Sequence, residues 1–396
     1  MPSVAPVVVV DAVRSAVGRR NGALAHTHPN EVLGTVLAAL VDRTGIDPSS
    51  VDQVIGGCVG QVGAQSSNVI RQAWLTAGLP LEVPATTANV QCGSAQQSTT
   101  LAHGLVASGL VDVAIACGIE AMSTVVMGSS VPRDPDVGEP RTGRYAELYE
   151  PTTQFEGADR IAAAWELSRD ELDEFGLRSQ ELAAKAWAED RFAGQIVAIE
   201  AVTLDDSGAP NGTTPLTRDE GLRTTSREAL SGLRTNRPGE DGGLHTAGTS
   251  SQISDGAAAL MLMTEDTAER LGFEPRARIV DSVLVGSDPV LMLTGPMPAT
   301  RALLERTGLT LDDIDLFEIN EAFASVVLAW QKEVGADPDR VNPNGGAIAL
   351  GHPLGATGCI LLTKALYELE RSDADRAIVS MCCGGGLGTG TLLQRM

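Results

Sequence analysis

Two stretches of this sequence resemble one another, and such a duplication limits the folds that the chain can adopt. The segment 37–46 reads Leu-Ala-Ala-Leu-Val-Asp-Arg-Thr-Gly-Ile, and it matches the segment 300–309, Thr-Arg-Ala-Leu-Leu-Glu-Arg-Thr-Gly-Leu. The match continues without a gap to Asp52 and Asp315. A chance likeness between two α/β stretches is the alternative, and one sustained register argues against it. The sequence therefore predicts two halves with similar folds.

Each copy contains a helix followed by a strand. The helix has amphipathic spacing and ends at Arg-Thr-Gly, where Gly45 and Gly308 suit a left-handed C-cap. In the same register, Asp112 and Asp375 begin apolar runs that read as buried strands after a helix. Because strands alternate with helices, we expect an α/β fold in which mostly parallel sheets are covered by helices.

The stretch from about 121 to 248 differs from both copies, since Pro, Gly, Asp and Arg punctuate short helical segments. We interpret it as an inserted lid. Ser168 and Glu171 have the spacing of a capping box, so a helix is predicted to begin there. Residues 205–212 read as a hairpin tip. The predicted domains are 1–270, which contains this inserted loop domain, and 271–396.

The formal net charge of −22 limits the possible partners. Nucleic acids and anionic membranes require clustered positive charge, so neither is expected to bind. A small polyanion is still possible, because Arg218, Arg223 and Arg227 lie close together in sequence. The apolar runs are far shorter than the ~20 residues that span a bilayer. The six scattered cysteines fit reduced thiols, and we predict a cytoplasmic protein.

Cys92 is the first candidate for chemistry. It lies where an apolar stretch changes to the small and polar residues Gly-Ser-Ala-Gln-Gln, which could open a buried helix. A helix N-terminus offers unpaired N–H donors and a positive dipole end, both of which favour a thiolate. The alternative is a packed core thiol, which is a common role for cysteine.

Three runs in the second half could form a site with Cys92. They are Asn320 to Ala324, Gly345 to Gly358, and Cys382 to Gly388, and each is predicted to follow a strand. Loops beyond strand ends meet at one face of duplicated α/β sheets, so we expect these runs to converge. Neither glycine-rich run ends in Gly-Lys-Ser/Thr, so a P-loop is not supported.

His352 and Cys382 are the side chains in these runs that could move protons. The Gly-His-Pro turn fixes the backbone beside His352, which could assist a thiol or donate to a developing oxyanion; a solvated turn histidine is the alternative. Cys382 precedes three nearby glycines and could act as an acid or base, or be a structural thiol. A metal site is disfavoured, because the adjacent Cys382 and Cys383 lack Cys-x-x-Cys spacing.

Taken together, four motifs resemble those of the thiolase family. They are Cys92-Gly-Ser, Asn320-Glu-Ala-Phe-Ala, Gly351-His-Pro-Leu-Gly-Ala-Thr-Gly and Cys382-x-Gly384, in the order that the family has. The resemblance runs from Val8 nearly to the C-terminus and agrees with the duplication. It implies a duplicated thiolase fold, in which two halves pack into a five-layered αβαβα body and an inserted loop domain covers the substrate.

The resemblance also implies a mechanism. Cys92 attacks the 3-keto carbonyl of a 3-oxoacyl-CoA and keeps the shortened acyl group until CoA removes it. His352, and Asn320 through a bound water, stabilise the enolate that forms on cleavage. The backbone N–H groups of Cys92 and Gly384 face the second oxyanion, and Cys382 moves the protons. Coenzyme A is then a co-substrate, and neither a permanent cofactor nor a metal is expected.

By the same resemblance, several residues contact coenzyme A, and they are Gln154, Arg223, Thr224, Thr225 and Ser251. Thr249-Ser-Ser-Gln252 stands where a common thiolase pattern has Asn-Ala-Ser-Gly. The segments 91–97 and 245–256, the second of which includes this departure, are most similar to bacterial thiolases that shorten sterol side chains. Acetoacetyl-CoA and ordinary 3-oxoacyl chains stay open as substrates. Family members form homodimers or homotetramers, and we expect the same of this chain.

Two other classes of protein stay open. A ketoacyl synthase is a related condensing enzyme, but that class has histidine where Cys382 stands. A catalytically inert acyl-CoA-binding protein would need neither Cys92 nor Cys382, so their joint presence argues against it.

Overall fold

The computed structural model describes residues 5–131, 136, 138–237 and 243–396. The strands of the described residues are β1 (Val7–Ser15), β2 (Gly18–Arg19), β3 (Gln53–Gly57), β4 (Ala85–Ala88), β5 (Val113–Ala121), β6 (Ile196–Val197), β7 (Ile199–Leu204), β8 (Pro210–Leu216), β9 (Ser254–Thr264), β10 (Ala277–Gly286), β11 (Leu316–Ile319), β12 (Arg376–Cys383) and β13 (Leu387–Arg395).

The α-helices of the same residues are α1 (Pro29–Thr44), α2 (Val69–Thr76), α3 (Ser94–Ala107), α4 (Gly143–Leu148), α5 (Gln154–Ala164), α6 (Arg169–Ala188), α7 (Arg227–Ser231), α8 (Glu265–Leu271), α9 (Pro296–Thr307), α10 (Ala324–Val334), α11 (Ala347–Leu350) and α12 (Thr357–Ser372). Over the part of the chain described above, none of these helices has the length and apolar character needed to cross a membrane.

The main sheet is mixed rather than mostly parallel. Its strands follow the order β11-β12-β13-β10-β1-β9-β5-β3-β4. The pairs β3/β4, β3/β5 and β11/β12 are parallel, whereas β9 and β13 pair antiparallel with both of their neighbours. The expectation of mostly parallel sheets is therefore wrong. For β13 the reason is local, since a tight turn from β12 can only produce an antiparallel pair.

The predicted duplication is confirmed by the fold. The order β1-β9-β5-β3 in the first half is repeated as β10-β13-β12-β11 in the second. Asp52 Oδ2 accepts hydrogen bonds from the N–H groups of Asp112 and Val113 at 2.7 and 2.9 Å. Asp315 Oδ2 accepts the equivalent pair from Asp375 and the next residue, both at 2.9 Å. The two copies therefore fix the start of their central strand in the same way.

Matching ion pairs also mark the two copies. Asp11 lies at a β-bulge in β1 and pairs with Arg43 at 3.1 Å, whereas Asp281 lies at a bulge in β10 and pairs with Arg306 at 2.8 Å. Both arginines stand just before the glycine that ends the helix, and Gly45 and its counterpart have φ angles of 68° and 72°. The predicted left-handed C-caps are therefore confirmed.

The five predicted layers follow from helix packing. Helices α3 and α12 contact each other and lie between the two halves of the sheet, α1 and α2 cover the outer face of the first half, and α9 packs on that of the second. A Cβ at Gly358 would lie 2.2 Å from the backbone nitrogen of Gln96, so glycine allows α12 to approach α3 closely. Both central helices therefore begin near one another.

The segment between β5 and β9, where the sequence predicts an insertion, carries helices α4 to α7 and strands β6 to β8. Helix α6 begins with the predicted capping box, in which Ser168 and Glu171 exchange side-chain and backbone hydrogen bonds. Strands β7 and β8 form a hairpin whose turn is closed by a 2.8 Å hydrogen bond from Asp205 N to Ala209 O. The predicted helix and hairpin tip are both confirmed.

Candidate active site

Cys92 lies directly before helix α3, as the sequence predicts. The loop that presents it is bent at Gln91, whose φ angle is +51°. Ser94 holds this bend, because its Oγ donates to Gln91 O at 2.6 Å and accepts from Val90 N at 2.9 Å. A Cβ at Gly93 would lie 2.5 Å from the sulfur of Cys383, so glycine lets the two loops meet. The Cys92 side chain is thus fixed at the start of a central helix.

Burial opposes the thiolate that this position was expected to favour. The thiol is 8% exposed, and its burial raises the pKa of Cys92 to about 11. The backbone N–H groups of Gly384 and of Cys92 itself act in the other direction and lower that pKa, while the charge of Glu120 raises it further. Cys92 is therefore a neutral thiol at pH 7, and a nearby base has to accept its proton.

His352 is arranged to be such a base. Thr357 Oγ1 donates its only hydrogen to Pro353 O at 2.8 Å, so it must accept from His352 Nδ1, which lies 2.7 Å away. The proton of the neutral ring is then on Nδ1, and Nε2 carries a lone pair. Burial lowers the pKa of His352 to about 4, which keeps the ring neutral near pH 7.

Asn320 follows β11 and lies beside that lone pair. Its Nδ2 is 3.4 Å from His352 Nε2, and its backbone N–H donates to Ser380 O at 3.0 Å. Its Oδ1 is buried and has no hydrogen-bond partner among the residues described here. The predicted convergence of Asn320 and His352 is therefore observed.

Cys382 lies near the end of strand β12 rather than in the loop after it. It is the second-last residue of β12, is fully buried, and is absent from the cavity wall. Burial and the neighbouring sulfur of Cys92 raise the pKa of Cys382 well above its usual value. We therefore find a protonated thiol behind Cys92, while the N–H of Gly384 points at the Cys92 sulfur.

The cavity above Cys92 and His352 has a volume of about 530 Å³. Three of the five residues expected to contact coenzyme A line it, namely Gln154, Arg223 and Ser251. Thr224 and Thr225 do not. Most of the remaining wall is apolar and comes from both halves and the insertion, including Met122, Met127, Phe155, Leu222, Leu293, Phe323 and Leu354.

Of the three arginines that are close together in sequence, only Arg223 reaches this cavity. The guanidinium of Arg218 stacks on Trp187, with 4.8 Å from its carbon to the ring centroid, and Arg227 forms an ion pair with Glu174. The three therefore do not form one polyanion site.

Sequence reasoning missed Glu120. This buried carboxylate accepts hydrogen bonds at 2.9 Å from the N–H groups of Val59, Gly60 and Gly355, and from Gln65 Nε2. It therefore ties the loop after His352 to the loop after β3. Its position just before the end of a strand was the only available signal.

Sequence reasoning also missed Arg19 and Arg20, which line the cavity. Two adjacent cationic residues before an Asn-Gly turn, in a chain with a charge of −22, were the signal that could have found them. Over the described ranges, no group of three or more His, Cys, Asp or Glu side chains could hold a metal ion.

Comparison with known proteins agrees with this fold. The protein-family model of the thiolase N-terminal domain matches residues 7–266 of this chain. The family model of the thiolase C-terminal domain matches residues 273–395. The chain belongs to the thiolase family. Its named relatives are acyltransferases, so this chain is an enzyme of that class.

Three relatives illustrate the range of the family. The steroid 3-ketoacyl-CoA thiolase FadA6 of Mycobacterium tuberculosis is 45% identical, over 98% of this chain and 94% of that protein. The beta-ketoadipyl-CoA thiolase of Pseudomonas aeruginosa is 39% identical, over 98% of this chain and 99% of that protein. The crystal structure of the Bacillus anthracis acetyl-CoA acetyltransferase superposes with a TM-score of 0.89, at 36% identity and with full coverage of both chains.

Proposed function

We propose that this enzyme cleaves a 3-oxoacyl-CoA with coenzyme A, through an acyl group carried on Cys92. The observation that supports this most is the arrangement around the cavity: Cys92 and His352 line it, Asn320 contacts His352, and Cys382 lies behind Cys92. Binding alone would not require two buried thiols and an oriented imidazole at one place.

The first step forms the bond between Cys92 and the substrate. His352 Nε2 accepts the proton of the Cys92 thiol, and the thiolate attacks the 3-keto carbonyl. The protonated Nε2 then becomes a hydrogen-bond donor. His352 Nε2 can therefore be an acceptor first and a donor later. It gains the hydrogen that it donates at the moment when Cys92 becomes a thiolate.

The second step breaks the carbon–carbon bond and needs stabilisation of an enolate. The electrons of the broken bond move to the thioester oxygen, where the protonated His352 and Asn320, acting through a water, provide donors. The Cys382 thiol protonates the α-carbon, which releases acetyl-CoA. The raised pKa of Cys382 suits this step, because the thiol is protonated before it acts.

The final steps transfer the acyl group to coenzyme A. The Cys382 thiolate takes the proton of the CoA thiol, and the CoA sulfur attacks the acyl group on Cys92. The oxyanion of this tetrahedral intermediate would accept from the N–H groups of Cys92 and Gly384. When the bond to the Cys92 sulfur breaks, that sulfur takes the proton back from His352 Nε2, which restores the enzyme and releases the shortened acyl-CoA.

Coenzyme A would enter along the wall formed by the insertion. Gln154 and Ser251 offer polar groups for the pantetheine arm, and Arg223 faces the nucleotide end by stacking or by pairing with phosphate. Thr224 and Thr225 are off the wall, so we assign them the outer rim of this path.

For the acyl group, we favour a bulky sterol-derived chain, as the relative named for steroid 3-ketoacyl-CoA suggests. The apolar wall of the cavity and the exposed side chains of Val126 and Met127 at the insertion would accept such a group. Acetoacetyl-CoA, in a reaction that runs towards condensation, is the alternative, supported by the acetyltransferase relative.

Four other predictions belong to this proposal. The chain is expected to act as a homodimer or homotetramer in the cytoplasm, with 3-oxoacyl-CoA and CoA as its partners. Residues 1–270, including the inserted lid, and residues 271–396 are the proposed domains.

Mass spectrometry of the intact enzyme tests the proposed reaction. After mixing with short, long and steroid-bearing 3-oxoacyl-CoA substrates, we expect an acyl adduct on Cys92 whose mass reports the preferred chain. Release of acetyl-CoA should accompany it. Binding without an adduct for every substrate would instead favour an inert acyl-CoA-binding protein, and turnover that is insensitive to Cys382→Ser would favour a ketoacyl synthase.

Replacing Thr357 with valine tests the proton arrangement. The variant loses the acceptor for His352 Nδ1–H, which destabilises the imidazolium more than the neutral ring. We expect kcat/KM to fall by about 10-fold, since one hydrogen bond to a charged group is lost. We also expect the acidic limb of the pH profile, which wild type should show near the pKa of about 4, to move to lower pH.

Thr357→Ser is the matched control, because serine keeps the hydroxyl. It should restore both the rate and the position of the acidic limb. An unchanged pH profile in Thr357→Val, or a serine variant as slow as the valine variant, would show that Thr357 does not act through His352.

A further inference from the structure

Arg19 and Arg20 line the active-site cavity but take no part in the reaction proposed above. Arg19 ends β2, and Arg20 begins the turn that follows it. Neither guanidinium has a hydrogen bond or ion pair with any residue that the structure describes. Both residues are exposed, and two free cationic groups at the wall of a cavity that contains Cys92 can hold an anionic ligand.

The charge of the cavity is opposite to that of the chain. The whole chain carries 51 acidic and 29 basic residues, yet three arginines and one carboxylate line the cavity. That carboxylate is Glu220, and it is already engaged: its Oε2 accepts from Arg19 N at 3.1 Å and from Ala23 N at 3.0 Å. Glu220 thus holds the backbone of the turn and leaves the guanidiniums available.

The turn that carries the two arginines is built into the fold. Arg20 N donates to Ile253 O at 3.1 Å, and Asn21, with a φ angle of +56°, donates its N–H to Ser123 Oγ at 2.8 Å. A Cβ at Gly22 would lie 2.2 Å from a Glu220 oxygen, so only glycine fits there. A fixed backbone reduces the entropy lost when the arginines bind an oxyanion.

The anchors of this turn place it on the catalytic side of the cavity. Arg19 pairs across β2 and β9 with Ser254, whose Oγ accepts from the backbone N–H of His352 at 3.1 Å. Arg223 lies two residues after Gly221 in the loop that Glu220 joins to this turn, and its backbone N–H donates to Gln180 of α6 at 2.9 Å. With Arg223 assigned to the nucleotide of coenzyme A in the proposed function, the pair Arg19 and Arg20 is left for a group on the acyl chain.

We propose that Arg19 and Arg20 bind a carboxylate at the far end of the acyl group, so that the preferred substrates are 3-oxoacyl-CoA molecules with a second, distal carboxylate. Two guanidiniums can hold one carboxylate by paired, charge-assisted hydrogen bonds. The carbon skeleton between the two ends can be straight or derived from a sterol. This inference rests on the proposed function.

A pair of substrates of equal chain length tests the charge preference. In 3-oxoadipyl-CoA a terminal carboxylate replaces the methyl group of 3-oxohexanoyl-CoA. We expect wild type to favour the first by about 10- to 100-fold in kcat/KM, the value of one or two charged hydrogen bonds. In Arg19→Gln/Arg20→Gln the ratio should approach one, through loss of activity on 3-oxoadipyl-CoA alone.

Arg218→Gln is the matched control, because Arg218 stacks on Trp187 and does not line the cavity. It should keep the wild-type ratio. The phosphates of coenzyme A are the competing source of negative charge, so both acyl groups are also offered as N-acetylcysteamine thioesters, which lack phosphates. A preference that disappears with these thioesters, a double variant that loses both substrates equally, or a wild type without preference would each overturn the proposal.

A binding measurement separates this proposal from the proposed function. Cys92→Ala is titrated by calorimetry with adipyl-CoA and hexanoyl-CoA, neither of which can be cleaved. Tighter binding of adipyl-CoA, by about 10- to 100-fold, would support the carboxylate site even if no substrate were turned over. Equal affinities would overturn it, whether or not the enzyme proved to be a thiolase.

Discussion

Cys92→Ala will abolish thiolysis, with a fall in kcat of about 10⁴-fold or more, because it removes the atom that carries the acyl group. The backbone of the site should be unaffected, since Ser94 and Gln91 hold the loop without the thiol. The measurement combines steady-state release of acetyl-CoA with mass spectrometry of the enzyme. No acyl adduct should form with any 3-oxoacyl-CoA.

Cys117→Ala provides the comparison for this variant. Cys117 is also a fully buried thiol, but it lies within β5 and does not line the cavity. It should keep both the adduct and near wild-type turnover. An adduct that persists in Cys92→Ala would show that another residue is the nucleophile, and the mechanism proposed for His352 would lose its basis.

The second large effect is expected on stability rather than on turnover. In Gly358→Ala the new methyl group would lie 2.2 Å from Gln96 N and 2.6 Å from its Cβ, inside the contact between α3 and α12. A backbone atom cannot rotate away, so the helices must separate. We expect the free energy of unfolding to fall by about 3 kcal/mol or more.

Gly104→Ala tests the same substitution without the contact. Gly104 is an exposed residue of α3, and nothing lies within 4 Å of the position where its Cβ would be. Alanine should stabilise this helix by roughly 0.5 to 1 kcal/mol. Thermal and denaturant unfolding of both variants checks the pair. Similar stabilities for Gly358→Ala and wild type would mean that the central helices are not held at this distance.

Those parts of the fold that depend on local patterns could be predicted from the sequence. The duplication, the left-handed caps at Gly45 and Gly308, and the capping box at Ser168 all depend on residues that are near in sequence. The direction of β9 could not be predicted in this way. An apolar run has the same pattern in either direction, and pairing with distant strands decides which one it takes.

The site likewise has features that follow from local sequence and features that depend on distant contacts. The position of Cys92 before a helix follows from the residues around it, whereas its high pKa results from burial by elements of both halves. Arg218 and Arg227 are near Arg223 in sequence but contact Trp187 and Glu174 instead. Arg19 and Arg20 are about two hundred residues away from Arg223, yet they share its cavity, because Arg19 N–H donates to Glu220 in the loop that carries Arg223.

The equivalence of the two halves has a consequence for how this site could arise. Helices α3 and α12 start at equivalent points of the repeat, and Cys92 precedes one while His352 precedes the other. Two identical chains, paired as these halves are, would place the same residue before both helices. Joining the copies in one polypeptide lets the loop before each helix mutate separately, so one loop can carry the nucleophile and the other its base.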